Sequence, residues 1–196
     1  MIATPAPHRH DAPIPSPWVA RFADLIAPGL RVLDLACGRG RHALFFTARG
    51  IDVLAVDRDA AALAAIPATP GLETRVVDLE RGAWPLTGER FGAVVVVNYL
   101  HRPLWPHLRT ALADDGVLLY ETFAEGNEAF GQPRNPDFLL KRDELLAVAA
   151  LPPELAVVAF EQGLVTDTGR SAVVQRLAAV GAAHAWPARL PIRSIQ

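Results

Sequence analysis

Two spacings of apolar residues alternate along the chain. Runs of consecutive apolar positions, Arg31–Cys37, Asp52–Val56, Arg75–Val77, Ala93–Val97 and Val117–Tyr120, read as strands. The Val94–Val97 run is apolar on both faces, as a central parallel strand requires. Between the runs lie helical stretches: Arg41–Arg49, closed by Gly50; Asp59–Ile66, opened by Asp59 and closed by Pro67; and Leu104–Ala113 after Pro103. Upstream, Ser16-Pro17 reads as an N-cap followed by proline in the first helical position. Trp18, Phe22, Leu25 and Ile26 then form one apolar stripe of a helix over 16–27, expected to lie across the domain as a lid. The succession strand, helix, strand predicts an α/β, doubly wound sheet.

The texture changes after Glu121. Thr122–Asp137 is polar and rich in Gly, Pro and Asn, with Phe123 and Phe130 interleaved, and loops of this length in compact domains carry function or lack order. A helix over Lys141–Ala150 follows, broken by Pro152-Pro153. Leu155–Phe160 and Ala172–Leu177, joined through the turn-like DTGR, predict an antiparallel hairpin at the sheet edge. Residues 1–15 read as a loose, proline-rich lead-in and 184–196 as a tail, so 1–196 is read as a single domain.

Composition narrows the function classes. The 196 residues carry 19 Lys+Arg against 21 Asp+Glu, a formal charge of -2. That balance argues against a broad nucleic-acid face, which needs clustered cations. A single cysteine, Cys37, rules out an intrachain disulfide and a Cys-x-x-Cys metal site. The N-terminus lacks the apolar core of a secretory signal, and no apolar run approaches the roughly 18 residues of a membrane span. A soluble, cytoplasmic protein without membrane partners is expected, its oligomeric state left open.

Each apolar run also ends on glycine or a polar side chain: Gly38, Asp57, Asp78, Asn98 and Glu121 in turn. Ligands of open α/β sheets bind outside the carboxyl ends of the strands, so these residues describe one polar rim. The turn Asp34-Leu35-Ala36-Cys37-Gly38-Arg39-Gly40 brings glycines to a strand-to-helix junction, where amides approach a ligand closely. Gly38-x-Gly40-x-x-Ala43 with Asp57 further on also fits a dinucleotide fingerprint. Asp34 tips the balance. A carboxylate beside the turn repels a pyrophosphate by on the order of 1–4 kcal/mol and attracts a cationic amino or sulfonium group. Asp57 suits a ribose diol and Asp78, with Glu80 as the alternative, an exocyclic amine. Cationic amino acid, ribose and adenine in that order describe S-adenosylmethionine.

At these residues the sequence resembles the class I, Rossmann-like S-adenosylmethionine-dependent methyltransferases: VLDLACGRGRH their first motif, VLAVDRD the second-strand acid, VVDLE the adenine-side acid and FGAVVVVNYL the fourth-strand motif. The resemblance covers Ala27–Phe123. It implies a mostly parallel seven-stranded sheet with an antiparallel edge strand, and a cofactor pocket formed by Asp34, Ala36, Gly38, Gly40, Asp57, Arg58, Asp78, Leu79 and Asn98. Ala36 stands where the family has the first of three glycines. EGNEAFGQPRNPDFLL is also similar to a small group related to tellurite-resistance methyltransferases. The reaction implied is in-line methyl transfer to a small-molecule acceptor.

His101 and Glu121 follow the fourth and fifth strands, where an acceptor would approach, and are the candidate catalytic groups. Cys37 is read as packed rather than nucleophilic. His101 and His107 do not share a helical face, so no metal site is expected. Arg39 and Arg41 read as solvated, and Trp18, Trp84, Trp105 and Phe130 as packing residues. Three alternatives stay open: a nicotinamide-dependent oxidoreductase, a nucleic-acid methyltransferase, and a non-catalytic cofactor-binding module.

Overall fold

Five parallel strands carry the centre of the chain: β1 (Val32–Leu35), β2 (Val53–Asp57), β3 (Leu72–Val76), β4 (Phe91–Val97) and β5 (Leu112–Phe123). With β6 (Ala156–Asp167) and β7 (Arg170–Val180) they form a seven-stranded sheet in the order β3-β2-β1-β4-β5-β7-β6. The computed structural model describes residues 14–167 and 170–186; the expected lead-in over 1–13, the centre of the DTGR turn and the tail beyond Trp186 lie outside them. β7 runs antiparallel to both β5 and β6, so the expected hairpin closes this side of the sheet with β6 outermost. Chain order reverses between β1 and β4, which makes the carboxyl ends of these two strands the crevice of a doubly wound sheet.

Alternation of side chains along each strand divides the core in two. Leu33, Leu35, Leu54, Val94, Val96, Leu118 and Tyr120 face a layer that includes Leu108 of α4 (Trp105–Ala111) and Leu145 and Val148 of α5 (Glu144–Ala149). Val32, Val53, Val95, Val97, Val117 and Leu119 face the opposite layer. That layer holds Trp18, Val19 and Phe22 of α1 (Pro17–Phe22), Phe46 of α2 (Arg41–Thr47) and Leu63 of α3 (Ala60–Ala64). All seven residues of β4 are buried, as a central strand demands.

The helix starts follow local chemistry. Ser16 caps α1 by accepting the Trp18 amide, and Asp59 caps α3 by accepting those of Ala61 and Ala62. Gly50 ends α2 with φ 75°. Strand bounds differ where the apolar pattern is weak. The third strand covers Leu72–Val76 rather than 75–77, because it is a sheet edge whose exposed Glu73 and half-buried Arg75 pair with each other rather than with the core. The fifth begins five residues before Val117, at Leu112, which pairs with Phe91.

Candidate functional site

The crevice at the β1/β4 switch point is formed by residues the backbone holds in unusual conformations. Ala36, Gly38, Gly40 and Asn98 all have positive φ, at 53°, 55°, 72° and 58°. For Ala36 this conformation costs about 1–2 kcal/mol, a strain glycine would not carry. No heavy atom lies within 4 Å of a side chain placed on Gly38, so its bareness keeps the crevice open. Gly40 serves packing instead: a Cβ there would sit 2.6 Å from Ile66 Cδ1.

Two recesses meet at Ala36 and Asn98. The larger, about 440 Å³, runs from Asp57, Arg58, Asp78, Leu79 and Glu80 past Asn98 and Tyr99 to Thr122, Phe123, Pro133 and Phe138. The smaller, about 400 Å³, is lined by Asp34, the turn around Cys37 and Gly38, Arg39, Arg41 and His42. Of the residues expected in a cofactor pocket, all but Gly40 line one recess or both.

Asp57 ties the end of β2 to the glycine turn. Its Oδ2 accepts the Gly38 amide at 2.7 Å, and its Oδ1 accepts the Asp59 amide at 2.9 Å. Asp78 accepts the Glu80 amide at 3.0 Å, so both acids expected on the adenine side line the same end of the larger recess. Asp34 is buried, 1% exposed, and accepts the Ala43 amide at 2.9 Å. Burial raises its pKa to about 7, against the lowering effects of that hydrogen bond and of Arg41. His42 stands 3.9 Å from Asp34, but burial holds its pKa near 3, so the ring is neutral and the approach is not an ion pair. His42 Nε2 accepts the Ser16 amide at 3.2 Å, which fixes the ring's proton on Nδ1, toward Asp34. Burial, with Asp34 and Asp57 adding to it, pushes the Cys37 thiol far above its ordinary range, as a packed thiol rather than a nucleophile requires.

His101 and Glu121 line neither recess. His101 occupies the N-cap position of the short 3-10 turn at 102–104, without a side-chain capping hydrogen bond. Glu121 accepts the Ser16 hydroxyl at 2.7 Å and stands 3.3 Å from Arg176 Nε, which fastens the tip of β5 to the start of α1. His107 stacks on Trp84 with ring centres 5.3 Å apart.

Two groups of residues at this site escape a reading by sequence. Tyr99 and Phe138 extend the larger recess beyond the polar rim, beside Thr122 and Phe123 of the loop that the sequence marks as functional. Behind them, Arg102 joins Glu144 through Nε at 2.6 Å and Nη2 at 2.9 Å, and donates to the Asp137 and Leu139 carbonyls. The only signal for the first group is the aromatic spacing in the loop. No local signal exists for an ion pair whose partners lie 42 residues apart.

A family model described as "Methyltransferase domain" matches residues 32–115. A search of curated proteins returned no match. Among solved structures, TehB from Haemophilus influenzae aligns with TM-score 0.65 and 18% identity over 83% of this chain and 61% of its own. The chain thus spans less than two thirds of TehB. An S-adenosylmethionine dependent methyltransferase from Mesorhizobium loti aligns with the same score and identity over 83% of this chain and 96% of its own. The glycopeptide N-methyltransferase MtfA, solved with S-adenosylmethionine, aligns with TM-score 0.60 and 18% identity over 90% and 100%. Residues 32–115 match the model of a methyltransferase domain, and the chain shares the α/β, Rossmann-like fold of these solved methyltransferases.

Proposed function

We propose that this protein is an S-adenosylmethionine-dependent methyltransferase acting on a small-molecule acceptor. The observation that carries this reading is the set of carboxylates on one crevice: Asp34 in one recess, Asp57 and Asp78 in the other, meeting at Ala36 and Asn98. We assign Asp57 to the ribose hydroxyls, Asp78 and Leu79 to the adenine edge, with Arg58 over it, and Asp34, Gly38 and Asn98 to the amino-acid end. The donor set fits the group. The buried Asp34 carboxyl, poised to ionise near neutral pH, is matched as a carboxylate by an ammonium, and acceptor-only carboxylates match hydroxyl and amine donors. The cofactor supplies a methyl group already activated by its sulfonium charge. The protein's part is then to align, exclude water and hold the acceptor in line. Glu121, engaged by Ser16 and Arg176, is assigned to holding α1 against the sheet, and His101 to the outer approach of the acceptor. The lone Cys37, buried and unpaired, supports a cytoplasmic location, and no helix among the described residues is long and apolar enough to cross a membrane.

Isothermal titration tests the reading. S-adenosylmethionine is expected to bind, and Asp57→Ala to weaken it by about 10- to 150-fold, the 1.5–3 kcal/mol of hydrogen bonds to a charged acceptor. Unchanged affinity in the variant, or tight NAD binding without adenosylmethionine binding, would overturn it.

A further inference from the structure

The larger recess changes character along its length. Its charged side chains, Asp57, Arg58, Asp78 and Glu80, end or follow β2 and β3, on the side of the switch point that the proposed function assigns to adenosine. On the β5 side the lining is Leu100, Thr122, Phe123, Pro133 and Phe138, without a charged group among the described residues, and Tyr99, whose hydroxyl stands 3.5 Å from Glu80, marks the border. Arg134 and Asp137, on the same loop, are exposed and line no part of it. The guanidinium behind this wall, that of Arg102, is neutralised by Glu144 and spent on two loop carbonyls. Phe138 itself is 51% exposed, a large apolar ring at the rim of a cavity, with Phe130 at 49% on the same loop.

We propose that this uncharged end is the acceptor site, and that it takes a small, neutral, ring-bearing molecule whose nucleophile needs no base from the protein, an aryl thiol being the type. The inference rests on the cofactor assignment for its direction but on the lining of the far end for its chemistry. An aliphatic ammonium acceptor would need a carboxylate there, and a carboxylate acceptor would need a cation. The β5-side lining of Leu100, Thr122, Phe123, Pro133 and Phe138 offers neither, and a charge moved into this wall without a partner is strongly disfavoured. A flat apolar ring matches Phe123, Phe138 and Pro133, and aromatic pairs add to what area burial alone contributes. Nor does the wall offer a base. Burial and the neighbouring Glu80 hold the Tyr99 phenol above its ordinary range, so it remains protonated at neutral pH. Thr122 is a hydroxyl. An aryl thiol binds neutral through its ring and ionises near neutral pH without a base, its proton going to solvent and the thiolate's charge being offset by the sulfonium it faces rather than by the wall. Its sulfur then forms the new bond to the methyl carbon as the bond from that carbon to the sulfonium breaks, the bonding pair remaining on the cofactor sulfur. The products are an aryl methyl sulfide and S-adenosylhomocysteine.

Arg102 acts here as a positioning residue. Its donors to the 137 and 139 carbonyls hold the Phe138 segment against the 102–104 turn, which Glu144 ties to α5.

The test is a binding comparison by ligand-observed NMR on the full chain, alone and with S-adenosylhomocysteine. Three methyl sulfides of graded charge are titrated: methyl phenyl sulfide, 2-(methylthio)ethylamine and (methylthio)acetate. The neutral aryl compound is expected to bind at least tenfold more tightly than either charged one. Phe138→Ala should weaken it about tenfold while leaving S-adenosylhomocysteine binding as in the parent, and Arg102→Met should weaken it in the same sense. Equal or tighter binding of a charged compound, or a Phe138→Ala variant that binds the aryl sulfide like the parent, would overturn the proposal. The two readings fail separately. Loss of the cofactor assignment shows as absent S-adenosylhomocysteine binding with the aryl preference retained, and loss of the acceptor assignment as the reverse.

Discussion

Asp34 carries the sharpest consequence of a single side chain. Its carboxyl is buried and titrates near pH 7 in the free protein, because desolvation outweighs the Ala43 amide and Arg41. A cationic amino group placed in its recess favours the carboxylate, so the bound protein has the lower pKa. Between the two values binding expels a proton, and affinity rises with pH up to about 7 and then levels off. Titration calorimetry between about pH 5.5 and 7 in buffers of differing ionisation enthalpy should show proton release of up to one per site, approaching a tenfold gain per pH unit. Asp34→Asn should flatten that slope; a slope that persists in the variant would assign the proton elsewhere. Stability has the opposite sign. The folded pKa lies above the ordinary value of 3.8, so the contribution is whole below about pH 4 and is lost as pH rises through about 7.

At the scale of elements, α1 is joined to the site through its cap. Ser16 Oγ accepts the Trp18 amide at 3.1 Å and donates to Glu121 at 2.7 Å, while its amide reaches His42. Ser16→Ala removes the cap and leaves Glu121 with Arg176 alone, so a loss of about 1–3 kcal/mol is expected in urea unfolding. A change under about 0.3 kcal/mol would show that the cap is immaterial. Such caps are legible in sequence because donor and acceptor lie two or three residues apart; Ser16, Asp59 and Gly50 are all readable for that reason. The glycine turn and Asp57 are legible likewise, each fixed by its place at the end of an apolar run, and Asp34 as the acid that interrupts the first run just before the turn. What binds distant elements is not. Ser16 meets Glu121 across 105 residues and Arg102 meets Glu144 across 42, and nothing in either neighbourhood announces the partner. Edge strands are blurred for a different reason. β3 and the outer half of β6 lack the continuous burial that marks β4, so their apolar pattern fades before their hydrogen bonding does.

For the molecule as a whole, the two-layer core decides what α1 is. The amphipathic stripe predicts a helix across the domain, and the structure sets Trp18, Val19 and Phe22 at 2%, 0% and 4% exposure in the layer shared with β4, β5 and β7. Trp18 Nε1 also donates to the Leu177 carbonyl at 3.2 Å, a bond from the first helix to the second-last strand of the sheet. Burying three such side chains contributes roughly 1.5–3 kcal/mol each. Domains of this size have only about 5–15 kcal/mol in total, so the helix bears a large share of it. A lid that swings open in each catalytic cycle would have to give that up and recover it. The expected result is therefore that Trp18→Ala lowers unfolding free energy by about 3–5 kcal/mol, the cost of a large cavity, and removes the indole donor from the Leu177 carbonyl. Native-state hydrogen exchange supplies the second reading: amides of α1 that hydrogen-bond within the helix should exchange with β4, by global unfolding, while those of the 124–138 loop open earlier. If α1 exchanged with the loop and Trp18→Ala changed acceptor affinity without changing stability, the helix would be a moving lid and the loop would not be the only mobile wall of the site.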